Sequence, residues 1–441
     1  NYLNKLKAIP LYIEQQSELI RKGLKAGIGQ PLVIFKGYET TYDQHITPTA
    51  EENFYYSPFQ SLPNPLSQEE KDSLQKAAKQ VVLEQLIPSF KSVKALFEKV
   101  YYPNTRKAIG ISETPEGKAY YQSRIDYYTT LEMSPEEIHQ KGLDEVSRIK
   151  KQMEAILKEV EFNGSIQEFI AFLRTDPQFY AKTPEELLKH ARNIAKKLDE
   201  QLPRFFKTLP RKPYGVAPVP AAIAPKYTSG RYVSTSPEST EPGYYWVNTY
   251  NLPSRPLYAI PSLTAHEAVP GHHLQGALNQ ELPKTIPQFR RNLYLSAYGE
   301  GWGLYTEFLA NEMGIYTTPY EHFGKLTYEM WRACRLVVDT GMHVFGWSRQ
   351  RAVDFMAENT ALSIHEINTE IDRYISWPGQ ALAYKLGGLK IRELRSLAEK
   401  ELGIRFDIRE FHEKILEKGT LTLPLLEDQI LSYIKKTKSN Y

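Results

Sequence analysis

The sequence predicts a mainly α protein with one small mixed β-sheet in the middle of the chain. Long segments toward both ends carry apolar residues at helical spacing, the main signal of helices that pack one face on a core. Between Leu209 and Pro261, prolines and glycines multiply and this periodicity fades, as expected where strands and turns replace helices. The chain has 441 residues and a single cysteine, Cys334, so a large apolar core rather than a disulfide framework must stabilise it.

Helices in the first part of the chain are predicted over 66–98, 113–160 and 183–205 from their apolar periodicity. Two points carry an additional start signal, because Ser134 and Thr183 are each followed by Pro-Glu-Glu. This pattern supplies an N-cap side chain, a proline in the first turn and two acids at the positive end of the helix dipole. We therefore expect helices to begin directly after Ser134 and Thr183.

Three short runs in the middle of the chain are rich in aromatic and β-branched residues and are bounded by breakers. We predict strands over 216–223, 231–235 and 244–249. Helical periodicity returns after Ile286. The predicted helices in this last part are 288–313, 319–346, 348–360, 379–401, 408–418 and 424–437.

The charge balance excludes some classes of partner. Lysines and arginines number 55, and aspartates and glutamates number 52, which gives a formal net charge of +3. The sequence therefore does not indicate a basic surface of the kind that binds nucleic acid. No run approaches the roughly 18 apolar residues of a membrane span, and the first residues lack the basic-then-apolar pattern of an export signal.

The stretch H-E-A-V-P-G-H-H at 266–273 almost matches the zinc motif H-E-x-x-H. In that motif two histidines one helical turn apart reach the same zinc ion, and the glutamate acts on a water molecule. Here Pro270 stands where the second histidine belongs. Three of the ten histidines fall in this short stretch, so chance clustering is a poor explanation. We expect His266 to be a metal ligand and Glu267 to be the general base.

The second ligand is His272 or His273. Pro270 cannot continue a regular helix, because its ring collides with the carbonyl of residue 266 and its nitrogen cannot donate a hydrogen bond. A bulge or break there would bring a later histidine back toward His266. Two inserted residues relative to the standard spacing favour His272, which leaves His273 as a transition-state donor or an outer partner of the site.

Glu300 is the candidate third ligand. It lies among three glycines in Y-G-E-G-W-G at 298–303. Each glycine costs a helix about 1 kcal/mol relative to alanine, which indicates that another backbone approaches closely there. Glu307 is the reserve ligand, or the partner of a histidine N–H. Two histidines and one carboxylate suit zinc.

Four ordered blocks resemble a bacterial family catalogued as domain of unknown function 885. These blocks are H-E-A-V-P-G-H-H-L-Q, Y-G-E-G-W-G-L-Y-T-E, R-L-V-V-D-T-G-M-H-V-F-G-W-S-R and D-R-Y-I-S-W-P-G-Q-A-L-A-Y-K-L-G. The family is similar to the gluzincin peptidases, and in particular to helical cleft enzymes such as angiotensin-converting enzyme and carboxypeptidase Taq. The resemblance implies a helical zincin-like cleft fold with the sheet beside the metal-binding helix. It also implies that His266, His272 or His273, and Glu300 hold zinc.

The resemblance carries an expectation about location as well. Family members often have a lipoprotein or export signal and are longer at the N-terminus, and this chain resembles the C-terminal three quarters of such a protein. We therefore expect an exported or periplasmic bacterial protein whose signal does not lie in this chain, although the sequence itself leaves the compartment open.

Further candidates come from the later blocks and from the strand at 244–249. Tyr384 is the predicted oxyanion donor. The candidate substrate-binding residues are Lys385, Gln380 and Arg373, which could hold a substrate carboxylate, and Tyr245 and Asn248, on a strand that could pair with the substrate backbone. Arg335, Asp339 and His343 recur four residues apart, so they line one helix face as a possible buried polar relay.

The predicted organisation is an N-terminal helical region at 1–208 and a zinc-binding catalytic region at 209–441, which together form one continuous cleft domain. The second region contains the sheet at 209–261, the metal helices at 262–313 and the C-terminal helices at 319–437. The predicted function is a zinc metallopeptidase that hydrolyses amide bonds of short peptides through a metal-bound water activated by Glu267. The alternatives are a zinc amidase acting on a non-peptide or cell-wall amide and a catalytically silent metal-binding protein.

Overall fold

The computed structural model describes residues 1–221 and 223–439. It divides into two compact units, Asn1–Gly117 and Lys118–Tyr441. In the first unit the helices are α1 (Tyr2–Lys25), α2 (Thr40–Asp43), α3 (Ser57–Gln60), α4 (Gln68–Val81) and α5 (Ile87–Leu96). Their apolar faces enclose a small core that includes Leu6, Phe59 and Leu86.

The second unit contains a longer series of helices, and all of the candidate site residues belong to it. These helices are α6 (Gly117–Thr129), α7 (Pro135–Glu159), α8 (Ile166–Thr175), α9 (Pro184–Phe205), α10 (Ile260–Glu267), α11 (His272–Gln280), α12 (Gln288–Arg291), α13 (Ser296–Glu312), α14 (Pro319–His343), α15 (Arg349–Asn359), α16 (Ile364–Ser376), α17 (Leu382–Leu402), α18 (Ile408–Leu416) and α19 (Leu423–Ser439). The fold is therefore mainly α, as predicted.

Both predicted helix starts are confirmed. The Ser134 hydroxyl accepts a hydrogen bond from the Glu137 N–H, and the Glu137 side chain caps the Ser134 backbone in return. The Thr183 side chain accepts from the Glu186 N–H at the start of α9. Apolar periodicity did not predict α1, which contains Pro10 in its interior, nor did it predict α8 and α16.

Three strands form a small mixed sheet, as predicted. They are β1 (Tyr214–Pro218), β2 (Gly230–Val233) and β3 (Gly243–Val247). The strand order is β1-β3-β2. β3 pairs parallel with β1 and antiparallel with β2, so its backbone hydrogen-bonding groups are used on both sides.

The chain passes from the first compact unit to the second between Gly117 and Lys118, and the predicted boundary between residues 208 and 209 stays a prediction. Residues 118–208 lie in the second unit, because α7 packs along α14 and α9 packs against α10 and β1. Gly142 of α7 makes the first of these contacts possible, since a Cβ there would lie 2.7 Å from the Val337 side chain. Such long-range packing is not visible in local periodicity.

The backbones of α13 and α17 approach each other closely at their glycines. A Cβ on Gly301 would lie 2.5 Å from the carbonyl carbon of Gly387, and a Cβ on Gly387 would lie 2.0 Å from the Ala297 oxygen. The glycines around Glu300 therefore do permit the close backbone approach that the sequence predicts. The neighbouring backbone belongs to α17 rather than to the histidine segment.

Candidate metal centre

The helix that carries His266 breaks where Pro270 predicts. α10 ends at Glu267 and α11 begins at His272, and the residues between them are not helical. Gly271 is required in this break, because a Cβ there would lie 1.9 Å from the His266 carbonyl oxygen. The indole N–H of Trp302 on α13 donates to the Pro270 oxygen at 2.9 Å, which fixes the path of the chain. The break turns the chain back so that His272 approaches His266.

His266, His272 and Glu300 form a cluster that could hold a metal ion. Glu300 Oε2 lies 3.5 Å from His266 Nε2 and 3.2 Å from His272 Nε2. One ligand atom from each residue lies within 4.8 Å of the other two. A tetrahedral zinc ion with bonds of about 2.0–2.1 Å needs ligand atoms about 3.3–3.4 Å apart, so the two measured distances are close to what the ion requires.

Glu307 fixes the orientation of the His266 ring. Its Oε1 lies 2.8 Å from His266 Nδ1, and this contact leaves Nε2 directed toward Glu300. Arg332 lies 3.2 Å from the same Glu307 oxygen. Gly303 provides space for the ring, because a Cβ there would lie 2.6 Å from it. A carboxylate behind a histidine ligand is the usual way in which metalloproteins fix the ring and its tautomer.

The electrostatics of the cluster favour a cation. Burial alone would lower the pKa of His266, but hydrogen bonds to Glu300 and Glu307 outweigh it and raise the pKa to about 9. Burial alone would raise the pKa of Glu300, but His272 and His266 hold it well below its usual range. Glu307 Oε2 is also buried without a hydrogen-bond partner. The two carboxylates thus stabilise positive charge at the histidines, as a bound zinc ion would require.

Glu267 lies beside the cluster but does not belong to it. Its Oε2 accepts a hydrogen bond of 2.7 Å from the backbone N–H of Tyr232 on β2. The side chain is largely buried, so this contact holds it in a defined position. A carboxylate next to a metal ligand, held by one oxygen, is well placed to accept a proton from water.

Tyr384 lies over the cluster at the start of α17. Its ring stacks on that of His266 with centroids 6.4 Å apart, and the Arg335 guanidinium lies 4.2 Å from the centroid of the Tyr384 ring. Gln380 hydrogen-bonds to the Tyr384 phenol. The structure thus brings Tyr384 to the candidate centre, with Arg335 and Gln380 as its supports.

Lys385, a predicted substrate-binding residue, is paired with two carboxylates in the structure. Lys385 is 1% exposed, and its ammonium bonds to Glu145 at 2.8 Å and to Glu329 at 3.0 Å. It therefore neutralises buried carboxylates inside the fold. Arg373 also has partners, because it contacts Glu370 at 3.0 Å and donates to Gln380 at 2.7 Å.

Tyr245 and Asn248, also predicted to bind substrate, lie on β3 and directly after it. Both side chains are fully buried, and the Asn248 amide donates to the carbonyls of Ala224, Tyr227 and Thr228. Because β3 is paired on both sides, its backbone cannot add a substrate strand. Strand order depends on long-range pairing, which the sequence alone did not reveal.

His273 lies outside the cluster of His266, His272 and Glu300, and its predicted catalytic role stays a prediction. Its ring lies between those of Tyr214 and Tyr232, with centroids 4.7 Å and 5.3 Å away. Nδ1 is 3.1 Å from the Tyr232 hydroxyl, and the ring also hydrogen-bonds to the backbone of Lys212. Burial lowers the pKa of His273 to about 4. It is a neutral residue that connects α11 to the sheet.

Asp339 and His343, the other two members of the predicted relay along α14, contact residues of α6, of α16 and of the turn after α16, and the relay stays a prediction. Asp339 accepts hydrogen bonds from the Tyr121 hydroxyl at 2.6 Å and the Gly379 N–H at 3.1 Å. His343 Nε2 lies 3.0 Å from the Tyr374 carbonyl oxygen. These contacts hold α16 and the turn after it against α14. Of the predicted outer partners, Glu307 contacts a cluster residue directly and Arg335 acts through Tyr384.

Sequence reasoning missed several residues that build this centre. Tyr294 donates a hydrogen bond of 2.9 Å to Glu300 Oε1, Tyr232 anchors Glu267, and Arg332 contacts Glu307. Trp302 could have been suspected, because it stands between two glycines beside Glu300. Nothing in the sequence around Tyr294 or Tyr232 distinguishes them among 30 tyrosines.

Solved structures provide two close comparisons for the fold. A "putative lipoprotein" from Colwellia psychrerythraea is 32% identical, with a TM-score of 0.94 over 98% of this chain and 75% of that protein. A "putative lipoprotein of unknown function" from Shewanella oneidensis is 19% identical, with a TM-score of 0.70 over 97% of this chain and 77% of the other. The second comparison shows similarity of fold alone.

No helix within 1–221 or 223–439 has both the length and the apolar character to cross a membrane. None of the curated proteins compared with the chain matches it. Residues 1–430 match the family described as "Bacterial protein of unknown function (DUF885)". The chain therefore belongs to the DUF885 family.

Proposed function

We propose that this protein is a zinc-dependent metallopeptidase that hydrolyses amide bonds of short peptides. The observation that carries the proposal is the convergence of His266, His272 and Glu300, with Glu267 next to the first of them. A structural metal site needs no neighbouring base and usually has four protein ligands. Three ligands beside a positioned carboxylate are instead typical of hydrolytic sites.

The chain supplies the groups that hydrolysis requires besides the ion. Zinc, when bound, would act as a Lewis acid that polarises a carbonyl and makes water more acidic. Glu267, held by the Tyr232 N–H, would take the proton from the attacking water and pass it to the leaving amine. Tyr384, stacked beside His266, would donate a hydrogen bond to the oxygen that gains negative charge.

We also propose that the protein acts outside the cytoplasm. The solved relative from Colwellia psychrerythraea, which is 32% identical, is described as a "putative lipoprotein", and lipoproteins are a class of exported bacterial proteins. The single cysteine, Cys334, is buried and free, so the fold depends on no intrachain disulfide in either compartment. Short peptides in the cell envelope would then be the natural substrates.

A digest of a library of short synthetic peptides tests the proposed function. We expect the zinc-loaded protein to cleave a subset of the peptides, to lose this activity when a chelator removes the metal, and to regain it when zinc is returned. Mass spectrometry of the products identifies the bonds that are cleaved. Cleavage that persists after complete removal of metal, or no cleavage of any peptide by the zinc-loaded protein, would contradict the proposal.

A further inference from the structure

Tyr294 reaches the candidate metal centre from outside the helices. It lies in the short link between α12 and α13, and 54% of its side chain is exposed. Its hydroxyl nevertheless donates a hydrogen bond of 2.9 Å to Glu300 Oε1, and it also interacts electrostatically with Tyr384 and Glu267. The ring is therefore near the surface while the hydroxyl end points into the centre.

The two oxygens of Glu300 have different partners. Oε2 faces His272 at 3.2 Å and His266 at 3.5 Å, whereas Oε1 accepts the hydrogen bond from Tyr294. A carboxylate can bind a metal ion through one oxygen or through both. A hydrogen bond to one oxygen favours binding through the other, because the lone pair that accepts the phenol proton is then directed away from the ion.

The helix surface is shaped to receive the Tyr294 ring. Gly299 directly precedes Glu300, and a Cβ at this position would lie 2.5 Å from a carbon of the Tyr294 ring. A larger residue would therefore push the ring away from α13. The sequence thus provides both the hydroxyl and the space that lets it reach the ligand.

We propose that Tyr294 is a positioning residue that holds Glu300 as a one-oxygen ligand and so keeps one coordination position open for water and substrate. This inference rests on the metal centre of the proposed function. It assigns Tyr294 a role in setting the coordination number, which is distinct from the roles of the three ligands and of Glu267. Outer partners of this kind commonly change metal affinity or activity by 10–100-fold, to order of magnitude.

The test compares metal binding by the wild-type protein and Tyr294→Phe, which removes only the hydroxyl. We expect the zinc dissociation constant, measured by competition with a chromophoric chelator, to rise roughly 10-fold or more. We also expect the visible absorption of the cobalt(II)-substituted protein to weaken, because binding through both carboxylate oxygens raises the coordination number. The thermal unfolding midpoint of the metal-free protein should fall by no more than about 4 °C, because only one hydrogen bond is lost.

Tyr244→Phe is the matched control. Tyr244 is also a tyrosine that donates to a carboxylate, with its hydroxyl 3.0 Å from Glu241 Oε2, and Glu241 is not a cluster residue. Its loss should leave zinc affinity and the cobalt spectrum unchanged. Gly299→Ala keeps the hydroxyl but displaces the ring, so it should reproduce the cobalt spectrum of Tyr294→Phe.

Two results would overturn the inference. The first is a zinc affinity and a cobalt spectrum of Tyr294→Phe that both equal those of the wild-type protein. The second is an equal change in Tyr244→Phe. Failure of the underlying metal centre is recognised separately, because the wild-type protein would then bind no zinc before any variant is compared.

Discussion

Replacing Glu267 with glutamine is expected to reduce peptide hydrolysis by about 100-fold to 10,000-fold, the range typical of removing a general base, while zinc remains bound. The amide oxygen of glutamine can still accept the hydrogen bond from the Tyr232 N–H, so the side chain should stay in place. The amide cannot take a proton from water. Steady-state kinetics and metal analysis of the same preparation measure both effects.

Glu281→Gln is the matched control for this prediction. Glu281 also accepts a backbone N–H, that of Arg211 at 2.9 Å, but it is not part of the cluster. Its replacement should leave hydrolysis unchanged. If Glu267→Gln retained the full rate, Glu267 would have no role as the base. If Glu267→Gln lost zinc, the prediction that this residue acts only in proton transfer would be wrong, because the lower rate would follow from the missing metal.

Alanine at His272 is expected to weaken zinc binding, whereas alanine at the adjacent His273 is expected to lower the stability of the fold and leave zinc bound. His272→Ala removes a nitrogen that lies 3.2 Å from Glu300 Oε2. Zinc affinity should fall by more than the roughly 100-fold limit usual for outer partners, and hydrolysis should fall with it. The metal-free protein should remain folded, because the His272 side chain is partly exposed.

His273→Ala should retain zinc and lose stability. The substitution leaves the Tyr232 hydroxyl without its partner and removes a ring packed between two tyrosines, which should lower the free energy of unfolding by about 1–3 kcal/mol. Zinc competition and urea unfolding distinguish the two variants. Equal loss of zinc from both would contradict the assignment of His272 as the ligand.

Local rules in the sequence predicted much of the fold. The Pro-Glu-Glu signals after Ser134 and Thr183 depend only on neighbouring residues, and both helices begin there. The break at Pro270 follows in the same way from the geometry of proline. The number of residues inserted relative to H-E-x-x-H favoured His272 as the second ligand, and His272 Nε2 lies 3.2 Å from Glu300 Oε2 in the structure.

The features that sequence reasoning missed depend on distant partners. Lys385 was predicted to bind a substrate carboxylate, but its ammonium contacts two carboxylates of the protein, Glu145 and Glu329, which lie on other helices. The strand at 244–249 was predicted to pair with substrate, whereas β3 lies between β1 and β2 in the sheet, and local sequence does not reveal strand order. Tyr294 has no local signature, and its contact with Glu300 exists only once α13 and the link before it are folded.

Diffraction data collected at the zinc absorption edge from crystals of the zinc-loaded protein test the central claim most directly. We expect one anomalous peak about 2.0–2.2 Å from His266 Nε2, His272 Nε2 and Glu300 Oε2, with His273 outside the coordination shell. A zinc ion bound by His273 in place of His272, a peak elsewhere in the protein or no bound zinc would contradict it.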